Sequence, residues 1–396
     1  MSEGEARPRT PLRELAALFA TLGTIAFGGP AAHVAMMEDE VVRRRGWMTR
    51  DSFLDHLSAA NLIPGPNSTE LALHVGLARA GVPGLLVAGL CFVLPAALLV
   101  AALAWAYVRF GALPAAEGLL YGVKPVVIAI VAQALWRLGR TALRTPALAL
   151  LGAAAAAAVA LGAHEIVVLL AAAVVAGLAA GVSRRRGGGA LSLVAGVAAP
   201  GALTGAAATA AGGTAGVASG GLWTLFALFL KTGGLLFGSG YVLLAFLRAD
   251  FVERLGWLTE RQLLDAVAIG QVTPGPLFTT ATFVGYLVAG WGGAVVATVG
   301  IFLPAFIYVT VSGPLVPRIR RSPVAGSALD GVNVASLALM AVVSLQLGRA
   351  ALVDPLTVAL ALGALLLLLR WRVNSAWLVA GGAAIGALAR ALGHLA

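Results

Sequence analysis

Pro64-Gly65-Pro66 cuts into one apolar stretch of the chain, "NLIPGPN", and Pro274-Gly275-Pro276 cuts into another, "QVTPGPL". Proline has no amide hydrogen and its ring clashes with the preceding turn, so each tripeptide ends a helix. The surroundings are not built for water. Of 396 residues, 60% are hydrophobic and 11% charged, with mean hydropathy +0.94, against about 25% charged in soluble domains. Inside a bilayer, unwound backbone is tolerated only where protein or a water-filled cavity satisfies it. The sequence therefore reads as an all-α, polytopic helical membrane protein that breaks its helices at two matching places. A β-barrel would show short alternating segments instead.

Aligning the two breaks brings much else into register. "FGGP" at 27–30 lies over "FGSG" at 237–240, and "GWMTR" at 46–50 over "GWLTE" at 256–260. Asp55 matches Asp265, "LPA" at 94–96 matches 303–305, "YGVKP" at 121–125 falls on "DGVNV" at 330–334, and "LGR" recurs at 138–140 and 347–349. Order and spacing hold over most of each half, which marks an internal duplication.

Each half offers about six apolar segments of spanning length. They lie near 12–35, 52–78, 82–108, 120–138, 146–163 and 165–182, and then near 222–246, 261–287, 290–312, 329–347, 355–369 and 373–393. Arginines cluster after alternate segments: Arg137, Arg140, Arg144 and Arg184, Arg185, Arg186 in the first half, Arg318, Arg320, Arg321 and Arg370, Arg372 in the second. The positive-inside rule then orients the halves oppositely. Opposite orientation needs one more crossing, placed in the Gly/Ala-rich stretch near 190–214. The expected organisation is an N-terminal repeat over 1–186, a linker over 187–221, and an inverted repeat over 222–396, with about 13 spans in all. Basic residues precede the first apolar run and no small-residue cleavage site closes it, so a retained signal-anchor helix is expected.

Inverted repeats with discontinuous helices are characteristic of secondary transporters, whose substrate sites lie where the repeats meet. After Pro64-Gly65-Pro66, Asn67, Ser68 and Thr69 suit a helix start, and a helix N-terminus suits an anion. After Pro274-Gly275-Pro276, Thr279 and Thr280 supply hydroxyls. Phe27, Gly28, Gly29 and Pro30, with Gly238 and Ser239 opposite, form a second symmetric break. It serves either close packing or close approach to a ligand. Asn61 and Gln271 match just before the breaks. Lys124 and Lys231 are candidates to neutralise an oxyanion, with Asn333 at the position matching Lys124. Glu70, one turn after the first break, and His33 are candidates for proton coupling or for simple pairing, because buried charge is costly and needs a reason.

The net charge of +10 is explained by topogenic loop arginines, and nothing else supports nucleic-acid binding. The single cysteine, Cys91, excludes a disulfide framework. No zinc cluster, nucleophile elbow, P-loop or dinucleotide fingerprint is present, so neither enzyme chemistry nor a cofactor is expected, and an ion gradient or the membrane potential must drive transport. The oligomeric state is open, a homodimer being one option. An anion channel and a lipid-acting membrane enzyme are the rival classes.

The stretches "FGGPAAHVAMMEDEVVRRRGWMTRDSFLDHLSAANLIPGPNSTE" and "FGSGYVLLAFLRADFVERLGWLTERQLLDAVAIGQVTPGPLFTTATFVG" resemble the chromate ion transporter family in its long, two-domain form. The resemblance covers nearly the whole chain. It implies a carrier in the bacterial cytoplasmic (inner) membrane that exports chromate, in exchange or competition with sulfate. It also implies roles for Phe27, Gly28, Gly29, Pro30, Pro64, Gly65, Pro66, Pro274, Gly275 and Pro276.

Overall fold

The computed structural model describes residues 10–26, 29–110, 114–185, 219–237, 240–371 and 373–392. Among these there is no strand. The first half consists of α1 (Leu12–Ile25), α2 (Gly29–Glu38) running into a π-helical turn (Asp39–Arg44), α3 (Arg50–Ala60), α4 (Asn67–Phe110), α5 (Pro114–Ala142), α6 (Pro146–Ala160) and α7 (Glu165–Arg185). The second half repeats the order. It has α8 (Ser219–Leu235), a short α9 (Leu243–Leu247) with its π-helical turn (Arg248–Arg254), α10 (Glu260–Val272), α11 (Thr280–Arg321), α12 (Pro323–Ala351), α13 (Pro355–Arg370) and α14 (Ser375–Ala391).

The recurring sequence motifs now have local reasons. Gly46 and Gly256, the glycines of the two "GW" motifs, sit at φ +58° and +61°, a left-handed conformation that favours glycine. The threonines that follow cap the next helix: Thr49 Oγ1 accepts from the Ser52 amide at 3.3 Å, and Thr259 forms a capping box with Gln262. A further pair recurs with its signs exchanged. Arg50 meets Glu38 at 3.2 Å in the first half, and Arg248 meets Glu260 at 2.6 Å in the second.

Helix α4 is two helices around a corner. Ala80 and Gly81 leave helical geometry, with Gly81 at φ +65°, and Ala289 and Gly290 do the same in α11 with Gly290 at +60°. Across the first corner Gly76 and Gly84 pack backbone to backbone, as Gly285 and Gly293 do across the second, leaving no room for a Cβ. The chain therefore doubles back at each corner.

The stretch before the corner doubles back as well. His56 and His74, equally spaced on either side of Gly65, stack with ring centroids 5.6 Å apart, and Arg79 Nη1 donates to the Trp47 carbonyl at 2.8 Å. So α3 and the start of α4 run antiparallel, with Pro64-Gly65-Pro66 as the tip. Likewise α1 runs inward from Thr10, whose amide donates to the Arg79 carbonyl at 3.2 Å, and α2 returns to Trp47. The segments 12–35 and 52–78, expected as single spans, are thus pairs of short helices that enter and return. Helix α1, with 14 residues, and α3, with 11, rise about 1.5 Å per residue, too little to cross a core of about 30 Å. Continuous helices long and apolar enough to cross are Asn67–Phe110 beyond its corner, Glu117–Ala142, Glu165–Val182, Leu277–Val311 beyond its corner, and Pro323–Ala351.

The two halves start from opposite ends. Helix α5 begins at the far end of α4 from the first hairpin's base, and there Glu117 meets Arg261, at the base of the second hairpin, at 3.2 Å. Packing comes in matched pairs: within each half α1 lies on α4 and α8 on α11, and between halves α5 lies on α13 and α14 and α12 on α6 and α7, with α4 against α11 and α5 against α12 at the centre. Gly122, Gly382 and Gly386 bring α5 and α14 together, the small-residue contact that membrane helices use. Facing outward, Leu86, Leu90, Leu94 and Leu98 line α4, and Val295, Val299, Leu303 and Ile307 line α11 at the matching positions. Exposed apolar stripes of this length mark a lipid-facing surface. The linker crossing expected near 190–214 lies outside the described residues.

Candidate functional site

The tips of the two hairpins meet the other half at the centre. The Gly65 amide donates to the Leu236 carbonyl at 2.8 Å, and the Gly275 amide to the Ala26 carbonyl at 3.0 Å. These acceptors are matched residues, each at the inner end of the other half's first helix. The bonds satisfy backbone that would otherwise be stranded in the bilayer, where an unmade hydrogen bond costs several kcal/mol. Gly65 has φ +141° and Gly275 has φ +91°.

Each tip starts a helix. At the first, the Thr69 and Glu70 amides both reach the Pro66 carbonyl, at 2.7 and 3.0 Å, and the amides of Asn67 and Ser68, at the head of α4, have no intrahelical acceptor. Ser68 Oγ lies 3.3 Å from His33 Nδ1, while His33 Nε2 lies 2.9 Å from the Ala26 carbonyl. The carbonyl accepts, so Nε2 carries the proton and Nδ1 accepts from Ser68. At the second tip a short 3₁₀ turn (Leu277–Thr279) precedes α11. The Thr279 and Thr280 hydroxyls donate to the Pro276 and Leu277 carbonyls, both at 2.8 Å, which leaves their lone pairs but not their protons for a ligand. Buried atoms with no partner among the described residues include Thr69 Oγ1, both Glu70 carboxylate oxygens, Gln271 Nε2 and Ser336 Oγ.

A polar cavity of about 170 Å³ adjoins the first tip. Asn61 and Asn67 line it from the hairpin, Thr141 and Arg144 from the end of α5, and Asp330, Asn333 and Ser336 from α12. Asn67 Nδ2 donates to Asn61 Oδ1 at 2.6 Å. Arg144 is exposed, so the cavity runs from the tip to the end that carries Arg137, Arg140 and Arg144. Three residues chosen from sequence, Asn61, Asn67 and Asn333, therefore share one chamber.

The two candidate lysines are elsewhere. Lys124 Nζ sits 2.9 Å from Asp265, which also accepts from Tyr107 at 2.8 Å. Lys231 sits 2.5 Å from Asp250 and 3.7 Å from Glu165, and Arg254 completes the cluster at 2.8 Å from Asp250. Both lysines neutralise buried carboxylates of the protein. Gly29 and Pro30 begin α2, whereas Phe27, Gly28, Gly238 and Ser239 lie outside the described residues. Sequence reasoning passed over Ser336, Arg144, Tyr107 and Asp265. Asp265 alone carried a usable signal, a carboxylate inside an apolar segment that needs a cation. Among the described residues no group of three His, Cys, Asp or Glu side chains gathers to hold a metal.

Comparison with known proteins agrees with this architecture. The chromate transporter family matches residues 13–178 and 223–387, one match per half. The chain is 34% identical over 98% of its length to a chromate transport protein of Cupriavidus metallidurans, 95% of which is covered. It is 31% identical over 91% of its length to a probable chromate transport protein of Synechococcus elongatus, 90% of which is covered. It is 34% identical over 85% of its length to a chromate transport protein of Pseudomonas aeruginosa, 81% of which is covered. No solved structure matches the chain. A duplicated, multi-pass helical membrane protein whose halves each carry the family's match, the chain belongs to the chromate transporter family.

Proposed function

We propose that this transporter is a secondary carrier that moves chromate, or a related tetrahedral oxyanion such as sulfate, out across the cytoplasmic membrane. The reciprocal hydrogen bonds of Gly65 and Gly275 carry this reading. They hold two helix starts at the centre, each braced by the opposite half, and helix N-termini bind anions without a cationic side chain. Asn61, Asn67, Asn333 and Ser336 supply hydrogen-bonding groups along the way in. Lys124 and Lys231 act at a distance, as partners of Asp265 and Asp250, and not as ligands.

The arginine-rich end, with Arg137, Arg140 and Arg144, is cytoplasmic by the positive-inside rule, so the cavity receives substrate from inside. The repeats 1–186 and 222–396 then rock about the tips to expose the site on the other face. No bond-making chemistry is assigned. The names of the relatives favour chromate, and sulfate shares its shape and charge. Chromate accumulation by inverted membrane vesicles, with and without excess sulfate, tests the reading. Saturable uptake supports export, and inhibition by sulfate shows a shared site. No uptake by vesicles containing folded protein would remove chromate as the substrate.

A further inference from the structure

The first hairpin carries a line of ionisable side chains that anion binding does not require. Glu70 is fully buried, and neither carboxylate oxygen has a hydrogen-bond partner among the described residues. The carboxylate is folded back against Gly65, in the place a Cβ there would occupy. One turn along, His74 is buried with its Nε2 unpartnered, and the i, i+4 spacing puts it on the same helix face as Glu70. His74 stacks on His56 of α3 at 5.6 Å. His56 is half-exposed, next to the exposed Asp55. The line thus runs from the outer part of the hairpin to its tip.

The second hairpin lacks this line. The residues matching His56, His74 and Glu70 are Ala266, Phe283 and Thr279, so the fold does not need ionisable groups there. Polar groups on the elements packed around the tip are already engaged. Tyr308 of α11 donates to the Gly234 carbonyl at 3.0 Å, His33 of α2 is held by Ala26 and Ser68, and Lys231 of α8 is paired with Asp250. A buried carboxylate without a cation is far costlier than its neutral acid. Acid and histidine chains in membrane segments mark proton relays.

We propose that Glu70 is a proton-binding site at the tip of the first hairpin, loaded and emptied through His74 and His56, and that its proton moves together with the transported anion. In the transfer the Glu70 O–H bond breaks with its electron pair left on oxygen, a ring nitrogen of His74 takes the proton, and His56 passes it outward. The neutral acid leaves the positive end of α4 free for an anion. The ionised acid sets a negative charge one turn from it, where it repels the anion. Proton and anion binding therefore strengthen one another. The coupling rests on the carrier reading; the proton site does not.

Two measurements on the full-length protein in liposomes separate them. Infrared spectra at neutral pH read the proton directly: the wild type should show a protonated-carboxyl band that Glu70→Gln lacks, and identical spectra would overturn the proposal. Chromate uptake with a trapped pH dye reads the coupling. The wild type should co-transport protons, Glu70→Gln should carry chromate with proton movement lost, and His74→Gln should lose proton movement while keeping the infrared band. Unchanged proton movement in Glu70→Gln would also overturn the proposal. A wild type that shows the band yet moves no chromate supports the proton site and removes the substrate reading instead.

Discussion

Lys124 of the first half reaches Asp265 of the second at 2.9 Å, and Asp265 is fully buried. Lys124 occupies the position that Asn333 occupies beside the cavity. One side of the pseudo-twofold therefore holds a polar chamber, and the matching side is closed by an ion pair. On the carrier reading proposed above, alternation opens the closed side and separates this pair. Losing one partner strands the other in low dielectric. Asp265→Asn or Lys124→Met alone should each cost about 3–5 kcal/mol of stability, and an apolar double replacement much less. Unfolding in detergent measures this. Single variants as stable as the wild type would show that the pair does not hold the closed side.

Much of the candidate site's backbone is legible in the sequence, because proline and positive-φ glycine act locally. Pro64-Gly65-Pro66 and Pro274-Gly275-Pro276 announce two breaks, and the register that pairs them also pairs Asn61 with Gln271 and Lys124 with Asn333. The return of the helices is not legible. The stretch 52–78 has the apolar length of a span, and hydropathy records length without direction; the reversal is visible only where His56 meets His74. Ion-pair partners are hidden for a similar reason. Asp55 and Asp265 are matched in sequence, yet the first is exposed and the second buried against Lys124, a difference set by what α5 and α12 place opposite them.

Gly65→Val and Gly275→Val should abolish transport while the protein still inserts. A side chain at Gly65 collides with the Glu70 carboxylate, and one at Gly275 comes within 2.6 Å of the Ala96 Cβ and 3.1 Å of the Gly23 carbonyl. Gly81→Ala is the control. It shares a positive φ (65°, with ψ −154°) but has open space around it, so it should cost only the backbone strain of about 1–3 kcal/mol. Uptake assays paired with membrane fractionation decide the outcome. Transport retained in both tip variants would show that the tips are not the site.

Reporters attached after Arg144 and after Arg349 should appear on opposite faces of the membrane. Arg144 follows the end of α5 at the arginine-rich end, whereas Arg349 lies near the end of α12, where Asp354 accepts a hydrogen bond from Tyr121 at the start of α5. Labelling of single cysteines at these sites in intact cells, in a Cys91→Ser background, is the measurement. Both sites on one face would dismiss the inverted arrangement.

Asp354 should make stability sensitive to acid. It caps α13, its Oδ1 accepting from the Thr357 amide at 2.8 Å while Thr357 Oγ1 accepts from the Asp354 amide at 3.1 Å. Burial pushes its pKa up, but the Tyr121 hydroxyl and the bonds from Thr357 and Leu356 outweigh that and hold it below the ordinary aspartate value. A carboxyl with a depressed folded-state pKa contributes stability above its unfolded value, and that contribution fades as pH falls toward the folded one. Asp354→Ala should therefore cost about 1 kcal/mol or somewhat more at neutral pH, the usual worth of such a cap. The gap to the wild type should narrow once pH drops below about 4, the unperturbed aspartate value. Unfolding of both proteins in detergent across that range gives the answer, and a gap that stays constant into acid would mean that the Asp354 charge contributes nothing to the cap.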